Sequence, residues 1–348
     1  MKKSEELLIQ LRESAVGAPW SNELRHFLVK CNCYGFVDNP VFEGDSVSEV
    51  LYDLIIKKRM QTGACIFQSM NEHGIPYAVV KGAVLSKRIY GRTTRRVSGD
   101  IDILIPRKYI DKVKRLFLQQ GFVQGHLLDN KIVPYTRKEI IYYTAHSHQI
   151  APFIGVTGNL LCPYVNYDLN IELFWGESGY NTDMELFLDD TIPTCIGGVN
   201  VQCLPVEKEF TALCLHHYKD WNSIYLLNER GVSLSHFFDI LGYLQAQKPN
   251  VQQLRSISDT FFATEYVYFC LWYTYCLLEH PVLLPYLNAM RTPGGVALEN
   301  HYGLQAIDRR GWEISLADRI FSSEFKMLFS KYLSEKDKMI IEINKTMV

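Results

Sequence analysis

The chain has 348 residues, 47% of them hydrophobic and 13% aromatic, which is enough apolar mass for one large domain or two of ordinary size. Its 36 Lys and Arg stand against 38 Asp and Glu, a formal charge of -2, so no general attraction to nucleic acid or to an anionic membrane is expected. Met1-Lys2-Lys3-Ser4-Glu5-Glu6 lacks the apolar core of a signal peptide, and no apolar run reaches the roughly 20 residues a membrane helix needs. The most hydrophobic stretch, Phe261 to Leu278, is broken by Glu265 and reads as a buried, aromatic-rich helix. Nine cysteines without a CxxC pair point to a reducing cytoplasm, with neither disulfides nor structural zinc.

In chain order, the first 75 residues read as helices. Ser46 and Ser48 are candidate N-caps, Val50, Leu51, Leu54, Ile55, Cys65, Ile66 and Met70 recur at helical spacing, and Gly74 is placed to end the helix. The texture changes at Ile75-Pro76. Tyr77–Val80 is a short strand, Lys81-Gly82 a turn, Ala83–Tyr90 a helix and Ile101–Ile105 a second strand. Pro106 opens a helix with Ile110, Val113, Leu116 and Phe117 on one face, stopped by Gly121. Strands are expected around Glu139–Ala145 and Tyr164–Phe174, and Gly197-Gly198 joins Thr191–Ile196 to Val199–Leu204 as a hairpin. From Pro205 the pattern is helical almost to the end. The expected division is a helical region over 1–75, an α/β core over 76–205 and a helical domain over 206–348.

The most informative segment is Ser98-Gly99-Asp100-Ile101-Asp102-Ile103-Leu104-Ile105. On a strand Asp100 and Asp102 share one face, while Ile101, Ile103 and Ile105 point into the core. Paired carboxylates repel unless a cation lies between them, and oxygen ligands suit Mg²⁺. Two such ions can clamp the attacking and leaving oxygens of a phosphoryl displacement. The competing reading is an exposed strand edge with solvated charges. One helix upstream, Gly82 of Lys81-Gly82 lets the backbone approach an anion at a helix N-terminus, and Lys81 adds a point charge suited to phosphate. Arg92, Arg95 and Arg96 lie between the two motifs as candidates for a triphosphate; Arg92 and Arg95 read better as surface charges. No GxGxxG and no GxxxxGK[ST] loop is present, which argues against Rossmann oxidoreductases and P-loop NTPases.

Val80-Lys81-Gly82-Ala83-Val84-Leu85, then Tyr90, Arg96 and Gly99-Asp100-Ile101-Asp102-Ile103-Leu104-Ile105 resemble a bacterial family of uncharacterised nucleotidyltransferases within the DNA polymerase β-type superfamily. Gly121-Phe122, Ile171-Glu172-Leu173-Phe174-Trp175, Leu204–Trp221 and Asp239-Ile240 extend the likeness over roughly residues 75 to 245. The sequence departs from the pattern at Gly82-Ala83, where the superfamily has Gly-Ser, and at Phe174, where the family often has His.

The resemblance implies an α+β fold, a polymerase-β-like nucleotidyltransferase core with a mixed sheet and helices, flanked by N- and C-terminal helical regions. It further implies that Asp100, Asp102 and Glu172 bind two Mg²⁺ ions and carry the chemistry, with Asp168, on the same strand face as Glu172, in reserve. Lys81, Gly82, Arg96, Gly99 and Lys219 are expected to hold the nucleotide. His216 and His217 beside Lys219 read as structural residues, one buried and one exposed, and Asp239 as a hydrogen-bond partner between helices. His146 and His148 are expected to share a strand face without a third zinc ligand. The expected activity moves an NMP from an NTP to an acceptor hydroxyl or phosphate on a small molecule or peptide, in preference to tRNA, with pyrophosphate released. No DNA or membrane partner is expected. The alternatives are a non-catalytic NTP- or partner-binding module of the same fold and a metal-dependent phosphohydrolase.

Overall fold

The computed structural model describes residues 2–33, 35, 46–176 and 178–347, with the side chains of 46–48, 340 and 343–347 outside that description. The candidate caps Ser46 and Ser48 therefore fall outside the described side chains. The chain forms two compact units, Asp38–Glu209 and Met1–Val37 with Phe210–Val348.

The Asp38–Glu209 unit is α+β. Its strands are β1 (Ala78–Val80), β2 (Asp100–Leu104), β3 (Val123–Leu128), β4 (Lys131–Pro134), β5 (Phe153–Asn159) and β6 (Cys162–Asn170). They form one mixed sheet in the order β1-β2-β6-β5-β3-β4, in which β2 and β6 run parallel and the other neighbours antiparallel. Alternation along the central strands divides the sheet into two faces. Ile101, Ile103 and Ile105 join Val165, Tyr167 and Leu169 in the core, together with Ile56, Met60, Phe67, Met70, Val113 and Phe117 from three helices. Asp100, Asp102, Asp168 and Asn170 consequently take the opposite face.

The helices Ser46–Thr62 and Ala64–Glu72 contribute to this core. The buried stripe of Ser46–Thr62 is shifted from the expected one, with Val50, Leu51 and Leu54 exposed and Ile56 and Met60 buried, whereas Ile66 and Met70 of Ala64–Glu72 are buried as expected. Apolar residues occupy both sides of Ser46–Thr62, so spacing alone could not choose the face. Gly74, at φ +58°, follows the helix end as expected. The hairpin β7 (Ile192–Ile196) to β8 (Val199–Cys203) turns through Gly197 and Gly198, at φ +56° and +82°, the paired left-handed conformations a two-residue loop requires.

Two readings are corrected. Glu139–Ala145 is not a strand but part of the helix Arg137–His146, which opens with a Thr136/Glu139 capping box. His146 ends that helix and His148 follows it, so they do not alternate on a strand. The strand expected over Tyr164–Phe174 ends at Asn170, which leaves Glu172 beyond it.

The second unit is helical apart from a short pairing of His301–Tyr302 with Arg310–Gly311. Tyr266, Phe269 and Tyr273 of the aromatic stretch are buried, as a core helix demands. Among the described residues, no helix is long and apolar enough to cross a membrane.

Phe117 is fully buried against Phe122, Phe153 and Tyr167. Phe117→Ala is expected to destabilise the sheet unit by about 3–5 kcal/mol in urea unfolding followed by tryptophan fluorescence. Leu160→Ser, at a fully exposed hairpin tip, should stay within about 0.5 kcal/mol of the parent.

Candidate active site

The site begins with strand register. Val80 pairs with Asp102 across β1 and β2, and Asp102 pairs with Asp168 across β2 and β6. Neighbouring strands lie about 4.8 Å apart, so the two aspartates are adjacent on one face, with Asp100 two residues along. Asp102 is 5% exposed, so its charge must be met locally. Lys81 Nζ donates to its Oδ1 at 2.8 Å, and Asn170 Nδ2 donates to the same oxygen at 3.2 Å.

Lys81 reaches Asp102 from a strained backbone. It N-caps the helix Gly82–Tyr90 at φ +57°, ψ -154°, a region nearly reserved for glycine that costs about 1–3 kcal/mol for other residues. Gly82 follows at φ +40°, and a Cβ there would come within 3.0 Å of Ser98 Oγ. The Lys81 side chain makes no capping hydrogen bond to this helix.

Ser98 closes the other side. Its Oγ donates to Asp100 Oδ1 at 2.8 Å. Its carbonyl accepts from Arg59 Nη1 at 2.6 Å and from the Tyr52 hydroxyl at 3.3 Å, and its amide donates to the Tyr52 oxygen at 2.7 Å. Tyr52, Arg59, Lys81, Gly82, Ser98 and Asp100 line one narrow cleft. Burial pushes the Tyr52 hydroxyl above its ordinary value; its Ser98 hydrogen bond and the charges of Arg59 and Arg96 oppose the rise, and Asp100 adds to it. Arg96 thus sits within electrostatic reach of the cleft. Its amide, with that of Arg95, donates to the buried Ser86 hydroxyl at 3.1 and 3.0 Å, which organises the loop before β2. Arg92 and Arg95 lie 3.3 and 3.6 Å from Glu49, ion-paired outside the acidic face as surface charges would be.

Gly99 is exposed immediately before Asp100, with open space where a Cβ would stand. Glu172 lies two residues past the end of β6. Its carboxylate is 3.5 Å from Arg107 Nη2 and accepts from the Thr182 amide at 3.1 Å. Burial raises the hydroxyls of Tyr135 and Tyr143; their hydrogen bond raises Tyr135 further and opposes the rise of Tyr143, and the negative charge of Asp168 adds to both. Lys219 belongs to the helical unit, with its ammonium 3.6 Å from Asp220.

Sequence reasoning missed Tyr52, Arg59, Ser86, Asn170 and the tyrosine pair. Asn170 was accessible, because alternation from Asp168 puts it on the same face. The capping box at Thr136 announced the helix that carries Tyr143. Tyr52 and Arg59 left no signal, since their role depends on where their helix packs.

An acidic face on adjoining parallel strands, beside a glycine turn opening a helix, defines a protein of the nucleotidyltransferase type. The chain belongs to the family described as uncharacterised nucleotidyltransferase, which matches residues 57–279. Among solved structures it is similar to an antigenic nucleotidyltransferase-like protein from Paracoccidioides brasiliensis, at 14% identity and a TM-score of 0.39, over 68% of this chain and 94% of that one. No curated protein matches it.

Lys81→Met leaves the Asp102 carboxylate buried without its cation and is expected to lower stability by about 1–3 kcal/mol. Adding Asp102→Asn should restore most of that loss, which a double-mutant cycle in urea would measure. Additive losses would show that the pair is not coupled.

Proposed function

We propose that this protein is a Mg²⁺-dependent nucleotidyltransferase whose metal-binding carboxylates are Asp100, Asp102 and Asp168. The observation that carries the reading is the convergence of these three, through strand register, on the Lys81-Gly82 turn. Their oxygens are hard donors, and a buried carboxylate already drawing an ammonium to itself has the charge a divalent cation answers. Bound there, Mg²⁺ would neutralise the triphosphate of the donor NTP and polarise its α-phosphorus.

The remaining work falls to the chain. Lys81 and the first amides of Gly82–Tyr90 hold phosphate oxygens, and Arg96 adds charge from the loop. Asp168 accepts the proton of the acceptor hydroxyl. The acceptor oxygen attacks the α-phosphorus, the bond to the bridging oxygen of the β-phosphate breaks, and pyrophosphate carries that electron pair away. Positioning and charge dominate such a transfer. Register supports Asp168 over Glu172 as the third carboxylate; Glu172, engaged by Arg107 and the Thr182 amide, then braces the end of β6. The acceptor is a small molecule or a peptide in preference to tRNA, in keeping with the balanced charge.

Two observations favour the non-catalytic alternative. Lys81 already neutralises Asp102, and Ala83 lacks the hydroxyl of the superfamily's Gly-Ser. Pyrophosphate release from each NTP with Mg²⁺, over an acceptor panel that includes cell extract, separates the two. Acceptor-dependent release is expected, reduced on the order of 10²-fold or more in Asp102→Asn and Asp168→Asn and much less in Glu172→Gln. Metal-dependent NTP binding without release under any condition would establish the binding module. Equal loss in Glu172→Gln and Asp168→Asn would remove the preference for Asp168.

A further inference from the structure

The helical unit carries a second concentration of ligating side chains, none of which the proposed transfer uses. His216 and His217 lie on the helix Val206–Asn222 and His236 on Leu234–Gln247. Each offers one ring nitrogen, and the three nitrogens lie within 4.8 Å of one another. Two adjacent residues on a helix point about 100° apart. His236 therefore fills the angle between them, its ring stacked on that of His217 at 4.0 Å and 6.0 Å from that of His216.

Two carboxylates complete the cluster. Asp239, 3% exposed, places Oδ2 3.4 Å from His217 Nε2. Asp220 places Oδ2 3.5 Å from His216 Nε2 and 3.9 Å from His236 Nε2. Each of these contacts is within ion-pair range when the histidine is protonated. His217 is fully buried and Trp221 packs against both His217 and His236, so the surroundings exclude most water.

We propose that His216, His217 and His236 form a binding site for a first-row transition-metal ion of the Zn²⁺ class, with Asp220 alongside as an oxygen donor and Asp239 orienting His217. Imidazole nitrogens select such ions over Mg²⁺, so this site and the acidic face of the other unit take different metals. A carboxylate behind a ligating histidine fixes its tautomer and ring direction, which gives the buried Asp239 a purpose. Joining the helices Val206–Asn222 and Leu234–Gln247 through one ion makes metal binding part of the folding free energy of this unit.

The test uses the full-length chain, stripped with a chelator and titrated with Zn²⁺ alone by calorimetry, then with Co²⁺ followed by its visible absorption. One Zn²⁺ per chain is expected, with a rise in Tm and a Co²⁺ spectrum of nitrogen and oxygen ligation. His236→Gln and His216→Gln should abolish the Co²⁺ band and weaken Zn²⁺ binding at least 100-fold. Asp239→Asn should weaken it about 10–100-fold, which keeps the test decisive if a histidine variant does not fold. A stripped wild-type chain that takes up no Zn²⁺, or histidine variants that bind as wild type does, would overturn the assignment. An intense sulfur-to-cobalt band would also overturn it, by placing the ion on a cysteine.

Discussion

The Asp102 carboxylate is the constraint around which the sheet unit is arranged. It is nearly fully buried on a strand whose other face must be apolar, and it is met by Lys81 from one neighbouring strand and Asn170 from the other. To supply the ammonium, the chain leaves β1 through a backbone conformation that a lysine adopts at a cost of about 1–3 kcal/mol, and the next residue must be glycine to clear Ser98. Such strain persists where the surrounding structure over-determines it. Here the tie to Asp102, the Ser98 clamp from Tyr52 and Arg59, and the helix that follows all fix the same turn.

How much of this was legible in the sequence follows from the range of each signal. Asp100 and Asp102 were readable because period-2 alternation is local, and so was the Lys-Gly turn. The hairpin at Gly197-Gly198 was marked by its own chemistry. The hairpin between β3 and β4 was not, because Asp129 and Asn130 adopt the left-handed conformation without a glycine to announce it. β5 carries two glycines and gave no alternating pattern. The face of Ser46–Thr62 was misread because apolar residues on both sides left the choice to tertiary packing.

The third carboxylate shows where local reading ends. Asp168, Asn170 and Glu172 share a strand face by alternation, and the family pattern singles out Glu172. Register with β2, a non-local quantity, sets Asp168 against Asp102, while β6 ends before Glu172, and the proposed preference for Asp168 rests on that difference. The same holds in the helical unit, where His236 lies nineteen residues beyond His217 and joins it only through helix packing.

In the proposed mechanism the Asp100, Asp102 and Asp168 face binds paired metals around a triphosphate. Electron paramagnetic resonance of Mn²⁺, added with a non-hydrolysable NTP to the full chain, tests it most directly. The account predicts two Mn²⁺ that depend on the nucleotide and couple magnetically, as ions roughly 3.5–4 Å apart do, and the loss of that coupling in Asp102→Asn. Uncoupled Mn²⁺ in the wild type, or coupling that survives in Asp102→Asn, would contradict it.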